Sequence, residues 1–256
     1  KRYTISEIVV ASSAKGVGVD LYNKLLVLLE RGFPIREYTQ VYEEITHRVP
    51  VQHVERDFYK YFPFSRSNKN RFYLFISRLF NAIFALCVVF LSLFIFPLVF
   101  LGNLIANRGP LFYTQERVGL NGKPFKIIKL RTMIVDAEAG GAQYASKADR
   151  RITPFGKILR NLRIDEIPQC INILKGEMSL IGPRPERPVF VKELSEKIPF
   201  YEIRHAVKPG LTGWAQVRGR YAESVDDTLE KLQYDLFYIK HRNLFLDLNI
   251  LLKTIS

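Results

Sequence analysis

The sequence predicts a mixed α/β protein that is mostly helical and membrane-associated. It has a small β-hairpin, a re-entrant membrane helix and, ahead of that helix, part of a Rossmann-like α/β segment. Three observations predict this. Leu79 to Asn107 runs for 29 residues without a formal charge. Residues 1–62 read strand, helix, strand, with Glu7 to Ser12 and Leu21 to Arg31 as the first two elements. Beyond Arg108, helical spacings of apolar residues surround one pair of alternating strand patterns. The expected divisions are therefore an α/β segment (1–62), a basic linker (63–78), a membrane helix–break–helix (79–107) and a polar, catalytic region (108–256).

The first segment looks like the tail of a Rossmann-like domain. Because the chain opens on Lys1, it reads as a fragment of a longer protein. Gly16-Val17-Gly18 is a lone Gly-x-Gly, weak evidence for a phosphate loop, and a plain turn is the simpler reading. The apolar run that follows the linker has the length and composition of membrane material. A straight helix of that length would measure roughly 43 Å, more than one bilayer core requires.

Cations crowd both flanks of the run. Arg66, Lys69, Arg71 and Arg78 precede it, and Arg108, Arg117, Lys123, Lys126, Lys129 and Arg131 follow it. Both ends thus prefer the cytoplasmic side. Pro97 removes a backbone donor and frees the carbonyl of Leu93. A helix that dips into one leaflet and returns, broken at Pro97, satisfies both facts, and Ser92 is expected to bond to the freed backbone.

In the last region, Phe112 to Gly119 and Phe125 to Met133 form a β-hairpin turning at Asn121-Gly122. Lys129 shares a face with Phe125 and Ile127, where a cation is costly to bury unless it meets an anion. Ile152, Phe155, Ile158 and Leu159 mark a helix face. Ile167, Cys170, Ile171 and Leu174 mark a second helix that starts at or just before Asp165-Glu166 and stops at Lys175-Gly176. The acids then lie at a positive helix end that favours their ionised forms. Among Arg150, Arg151, Lys157, Arg160 and Arg163, an ionised carboxylate can act as a nucleophile or a magnesium ligand, or simply stabilise the helix end. Arg184 sits between Pro183 and Pro185, a rigid guanidinium suited to phosphate oxygens.

The Gly-rich stretch Val207 to Arg220 is either a loop offering N–H groups to anions or a plain turn-rich surface loop, the safer reading from the residues alone. A capping box at Ser224 to Asp227 starts a helix through Leu229, Leu232, Leu236 and Ile239. The last helix, Leu244 to Ile255, either packs on the core or lies at the bilayer surface.

Lys and Arg outnumber Asp and Glu by 38 to 25, a net charge of +13. That excess suits phosphate-bearing partners. No nucleic-acid motif is present, and the aromatics gather near the membrane run instead of alternating with the basic clusters. Four scattered His and two Cys (Cys87 and Cys170) give neither zinc spacing nor a disulfide framework.

Three motifs carry a resemblance. Asp165-Glu166-Ile167-Pro168-Gln169, Leu174-Lys175-Gly176-Glu177-Met178-Ser179 and Gly182-Pro183-Arg184-Pro185 match, in order and spacing, the catalytic stretch of the bacterial sugar transferases. These are the monotopic polyprenyl-phosphate phosphoglycosyl transferases, whose larger members carry a Rossmann-like domain ahead of the transferase. The resemblance implies transfer of a sugar-1-phosphate from a UDP-sugar to polyprenyl (undecaprenyl) phosphate. UMP is released, and the step initiates an exopolysaccharide, capsule or O-antigen type glycan.

It further implies a re-entrant anchor, location at the cytoplasmic face of a bacterial inner membrane, and Mg²⁺ held by Glu166. Asp165 would be the nucleophile. Lys129, Arg131, Arg160, Arg184 and Arg220 would contact substrate phosphates, with Asp235 near the site. Membrane lipid is a partner, nucleic acid is not, and a homo-oligomer stays open. The chain departs from the family at Phe96, where Ser usually precedes the Pro. Ser77-Arg78-Leu79-Phe80-Asn81 lacks the family's Lys and Asp, Leu130 replaces a Phe, and Tyr221 replaces an Asn. A non-enzymatic, membrane-tethered basic binder is the competing class, and a spanning transferase with no covalent step is a second enzyme reading.

Overall fold

The computed structural model describes residues 5–11, 18–51, 70–138, 140–141, 149–219 and 225–255. Near its start, β1 (Ile8–Val10) pairs in parallel with β2 (Ile35–Glu37) across helix α1 (Val19–Glu30). This is the crossover connection that parallel strands require. Gly16 and Val17 of the Gly-x-Gly loop lie outside the described residues. A helix not expected from the sequence follows, α2 (Tyr38–Thr46), ended by His47 in the left-handed region at φ 55°.

The membrane run forms one helix, α3 (Arg71–Ala106), whose apolar window has a mean hydropathy of 2.9. It is long and apolar enough to cross a membrane by length and composition. The helix begins earlier than expected because Asn70 caps it, its side-chain oxygen accepting from the Tyr73 N–H at 3.1 Å. Residues 71–78 are thus helical, and residues 63–69 of the expected linker lie outside the described residues. The expected helix–break–helix is a single helical element through Pro97, since one missing N–H does not end a helix whose neighbouring bonds survive. The Ser92 hydroxyl donates to the Val89 carbonyl at 2.6 Å, so it is not spent on the carbonyl of Leu93.

One stripe of α3 is buried, at Tyr73, Ala85, Ser92, Val99 and Asn103. Ala85 packs with Ile127, Cys170, Ile173 and Met178, and Val99 with Leu130 and Leu159. The rest of the helix leaves Phe90, Leu93, Phe94, Leu98 and Leu101 exposed. Each such side chain is worth about 1.5–3 kcal/mol when removed from water, so a continuous apolar face of this kind calls for a lipid or protein covering.

Beyond α3 come the antiparallel hairpin β3 (Phe112–Val118) and β4 (Pro124–Leu130), with Asn121 and Gly122 at positive φ in its turn as the dipeptide predicts. Helix α4 (Pro154–Asn161) is capped by the Thr153 hydroxyl accepting from the Gly156 N–H at 3.0 Å. Helix α5 (Gln169–Leu174) ends where Gly176 turns at φ 78°, the predicted stop. Strand β5 (Ser179–Ile181) pairs in parallel with β6 (Gly210–Thr212), and helix α6 (Pro188–Lys197) lies on the crossover between them. Helices α7 (Trp214–Arg218), α8 (Val225–His241) and α9 (Leu244–Ile255) complete the chain. Ser224 of the expected capping box lies outside the described residues.

The main core joins Leu180, Ile181, Trp214, Leu232, Leu236 and Ile250 to Val49 and Val51, which are 0% and 2% exposed. Residues 43–51 therefore belong to this core, although the sequence assigns them to the leading segment. The Val49 N–H donates to the Gln233 carbonyl, the Trp214 indole N–H to the His47 carbonyl, and Lys240 and His241 hold the Glu43 carboxylate. Helix α9 turns Ile250 and Asp247 inward, where Asp247 accepts from the Tyr73 and Tyr238 hydroxyls. It leaves Phe245, Leu248 and Leu252 exposed on its other face, so core packing holds for one side of the helix.

Candidate active site

The site forms where α4, β4 and the turn after β5 converge. Between α4 and α5 the chain reverses through Arg163 at φ 59°, then makes a 3₁₀ turn, Ile164–Glu166, that carries both acids. The acids thus precede α5 instead of opening it, and a six-residue helix offers them little dipole. Asp165 is 8% exposed and Glu166 9%.

Their environments differ. Glu166 Oε1 accepts from Lys129 Nζ at 3.2 Å and from Arg184 Nη2 at 2.8 Å. Burial works against its ionised form, but Arg184 and Lys129 override it and hold the carboxyl at about 2. Asp165 has no ion pair among the described residues, and burial, reinforced by the adjacent Glu166 charge, raises its carboxyl above the ordinary value. The charges of Lys129 and Arg160 act in the opposite direction. The expectation that the surroundings favour the ionised form therefore stands for Glu166, whereas for Asp165 desolvation and the neighbouring Glu166 charge shift the balance the other way. Two neighbouring carboxyls driven apart in this way mark a division of roles.

The cations are placed as follows. Lys129 shares the buried face of β4 with Ile127 and meets its anion in Glu166, the condition the strand pattern required. Arg160 donates from Nε to the Thr132 hydroxyl at 2.8 Å and acts on Asp165 by its charge. Arg184 caps Glu166 with its side chain partly open to solvent.

Arg131 is a correction in part. It is 8% exposed, and its guanidinium donates to the carbonyls of Pro110, Met133 and Asn107 and to the Asn107 side chain. Four of its five N–H donors are thus spent within the fold, three of them on the chain just past α3, which leaves one for a phosphate. Asp235 is 2% exposed and pairs with Arg204 at 2.8 Å, and the same Arg204 nitrogen donates to the Arg184 carbonyl, which links Asp235 to the Pro-Arg-Pro turn. Arg220 lies outside the described residues.

The Pro-Arg-Pro turn is fixed through its carbonyls. Pro183 accepts from the Gly210 N–H, Arg184 from Arg204 Nη2, Pro185 from Arg117 Nη1 and Glu186 from the Val118 N–H. Arg204 and Arg117 are site-supporting residues that sequence reasoning missed, since nothing in Tyr201-Glu202-Ile203-Arg204 marks an inward-facing cation. The Gly-rich stretch is also corrected. The Gly210 N–H is spent on Pro183, and Gly210 and Gly213 are needed because a Cβ on either would lie 2.1 or 2.2 Å from Gly182 backbone. Gly210→Ala is expected to lower stability by about 1–3 kcal/mol or more by forcing β6 away from Gly182. Gly140→Ala, with nothing within 4 Å, should leave the urea midpoint unchanged and serves as the control.

Two adjacent carboxyls among Lys129, Arg160 and Arg184, beside a long apolar helix, define a charged site at the edge of an apolar surface. Residues 72–256 match the bacterial sugar transferase family. The chain belongs to that family. It is 41% identical, over 224 residues, to the UDP-N-acetylgalactosamine-undecaprenyl-phosphate N-acetylgalactosaminephosphotransferase of Aeromonas hydrophila, covering 87% of this chain and 51% of the relative. It is 42% identical, over 164 residues, to the UDP-glucose:undecaprenyl-phosphate glucose-1-phosphate transferase of Caulobacter vibrioides, covering 62% of this chain and 61% of the relative. An uncharacterised sugar transferase of Bacillus subtilis is 39% identical over 185 residues, 71% of this chain and 86% of that one. The chain thus spans about half the length of the Aeromonas relative.

Magnesium takes one or two carboxylates and leaves the rest of its shell to water and phosphate oxygens. Asp165 and Glu166 offer that donor chemistry, and no group of three His, Cys, Asp or Glu suited to a fully protein-built metal cage occurs among the described residues.

Proposed function

We propose that the protein transfers a sugar-1-phosphate from a UDP-sugar to undecaprenyl phosphate through a phosphosugar held on Asp165. The observation that carries this reading is the asymmetry of the acids: Lys129 and Arg184 lock Glu166, while Asp165 is more basic and has no ion pair among the described residues. A more basic carboxylate is the better nucleophile once ionised. In the first step an Asp165 carboxylate oxygen bonds to the sugar-bearing phosphorus, and the phosphoanhydride bond breaks with its electron pair leaving on UMP. In the second an oxygen of undecaprenyl phosphate attacks the same phosphorus, and the Asp165 carboxylate departs unchanged. Lys129, Arg160 and Arg184 gather and orient the phosphoryl oxygens, and Arg220 joins them by its place in the family motif. Glu166 would hold Mg²⁺, which when bound offsets phosphate charge and stabilises the leaving group.

Both substrates are anionic and one is lipid-bound, so the site belongs at a membrane surface. Support for a re-entrant α3 comes from its ends. Tyr73 near its start bonds Asp247, and Asn107 just past its end bonds the Arg131 carbonyl, so one folded unit holds both. Exposed Arg71 and Arg78 in the first turns of the helix, and Arg108, Lys123 and Lys126 after it, favour the cytoplasmic face of a bacterial inner membrane for both ends. Phe245, Leu248 and Leu252 on α9 supply a further apolar face toward lipid. The product would begin a polysaccharide chain.

The reading is tested by UMP release from a panel that includes UDP-N-acetylgalactosamine and UDP-glucose, with undecaprenyl phosphate and Mg²⁺. Release beyond one equivalent of protein that depends on both substrates is expected; release from none of the panel would reject it. The pH profile follows from Asp165. Only the ionised carboxyl attacks, and its value lies above the ordinary 3.8, so kcat should fall on acidification through a limb above that value. A limb at or below 3.8 would contradict the assignment.

A further inference from the structure

Gln169 opens α5 and is 2% exposed. Its side-chain amide nitrogen has no hydrogen-bond partner among the described residues. Asn172, three residues on and 0% exposed, behaves otherwise. Its Nδ2 donates to the Lys126 carbonyl at 2.8 Å and to Glu177 at 2.7 Å, and its Oδ1 accepts from the Ile128 N–H at 3.1 Å. The same short helix therefore carries one amide fully engaged in the fold and one whose donor the fold does not use. A buried donor left unpaired costs stability, so it is retained where something other than the fold pairs with it.

Gln169 stands three residues after Glu166 and four after Asp165, and the right-handed helical backbone of Ile167 and Pro168 joins the 3₁₀ turn to α5, so it lies within about one turn of both acids. The neighbouring charges, Lys129, Arg160 and Arg184, select anions. A buried amide N–H for which no described residue supplies an acceptor oxygen takes one from the ligand instead. We propose that Gln169 is a substrate-binding residue whose amide donates to a phosphoryl oxygen of the sugar phosphate. This rests on the phosphotransfer reading above. The bond forms when the donor substrate arrives and persists while the phosphosugar is carried on Asp165.

The test is Gln169→Met in the full chain, which keeps length and volume but removes the donor, alongside Gln169→Glu, which replaces the donor with an acceptor. UMP release and the thermal midpoint are measured for both. For Gln169→Met we expect kcat/KM to fall roughly ten- to a hundred-fold, the usual weight of a hydrogen bond to a charged group. The midpoint should be unchanged or higher, because an unpaired buried donor has been removed. Gln169→Glu should lose at least as much activity through repulsion of the phosphate. Unchanged kcat/KM in Gln169→Met would overturn the proposal, and so would a fall in midpoint that accounts for the lost activity, since that marks a structural role. Wild-type protein that releases no UMP from any UDP-sugar would instead reject the underlying reading, and this inference with it.

Discussion

Asp165→Asn is expected to abolish UMP release, by a factor on the order of 10⁴ or more, while leaving the fold intact. The substitution keeps shape and hydrogen-bonding size but removes the ionisable oxygen that forms the bond to phosphorus. Its effect on stability should be neutral or favourable. The Asp165 carboxyl is raised in the folded state by burial and by Glu166. The stability it contributes in its protonated form is full below its unfolded value and is lost as pH rises through the folded one. At neutral pH Asp165 is thus a net burden on the fold, which Asn relieves. A variant that keeps UMP/UDP-sugar exchange would remove Asp165 from the role of nucleophile.

The second large effect is expected at Arg204. Its side chain is 8% exposed, bonds Asp235 at 2.8 Å and the Tyr201 hydroxyl at 2.6 Å, and donates to the Arg184 carbonyl at 3.0 Å. Arg204→Met strands the Asp235 carboxyl in the core and should cost about 3–5 kcal/mol, read as a lower urea midpoint. Combining it with Asp235→Leu removes both buried charges and should recover much of that stability, since apolar replacement of a buried pair is often neutral. Activity should not recover with it. The Arg184 carbonyl still lacks its donor, so KM for the UDP-sugar stays raised in the double variant. Recovery of stability and KM together would show that Arg204 serves the core alone.

Much of the architecture was readable because it rests on local chemistry. The membrane helix follows from a charge-free run, the hairpin from Asn121-Gly122 between alternating strands, and the end of α5 from Gly176. Strand alternation alone leaves Lys129 as either a snorkelling surface cation or a buried one in need of an anion, and Glu166 supplies that anion.

What was missed depends on contacts distant in sequence. Val49 and Val51 fill the transferase core from a segment whose local pattern speaks only of strand and helix. Arg131 stands two residues from Lys129 in the same motif, yet backbone carbonyls claim most of its donors. The glycines near Gly210 read as an anion-binding loop or a plain turn-rich one, but they exist to let β6 approach Gly182. The difference between Asp165 and Glu166 is equally invisible in sequence. It is set by which carboxyl Arg184 reaches after a separate strand and turn have delivered it.

The most direct measurement uses a UDP-sugar labelled with ³²P at the sugar-bearing phosphate, mixed with the protein and Mg²⁺ in the absence of undecaprenyl phosphate. A stoichiometric burst of UMP is expected, with the label retained on a peptide containing Asp165 and discharged when the lipid phosphate is added. UMP formation that begins only with the lipid present, with no label on the protein at any time, would contradict a carrier role for that carboxyl.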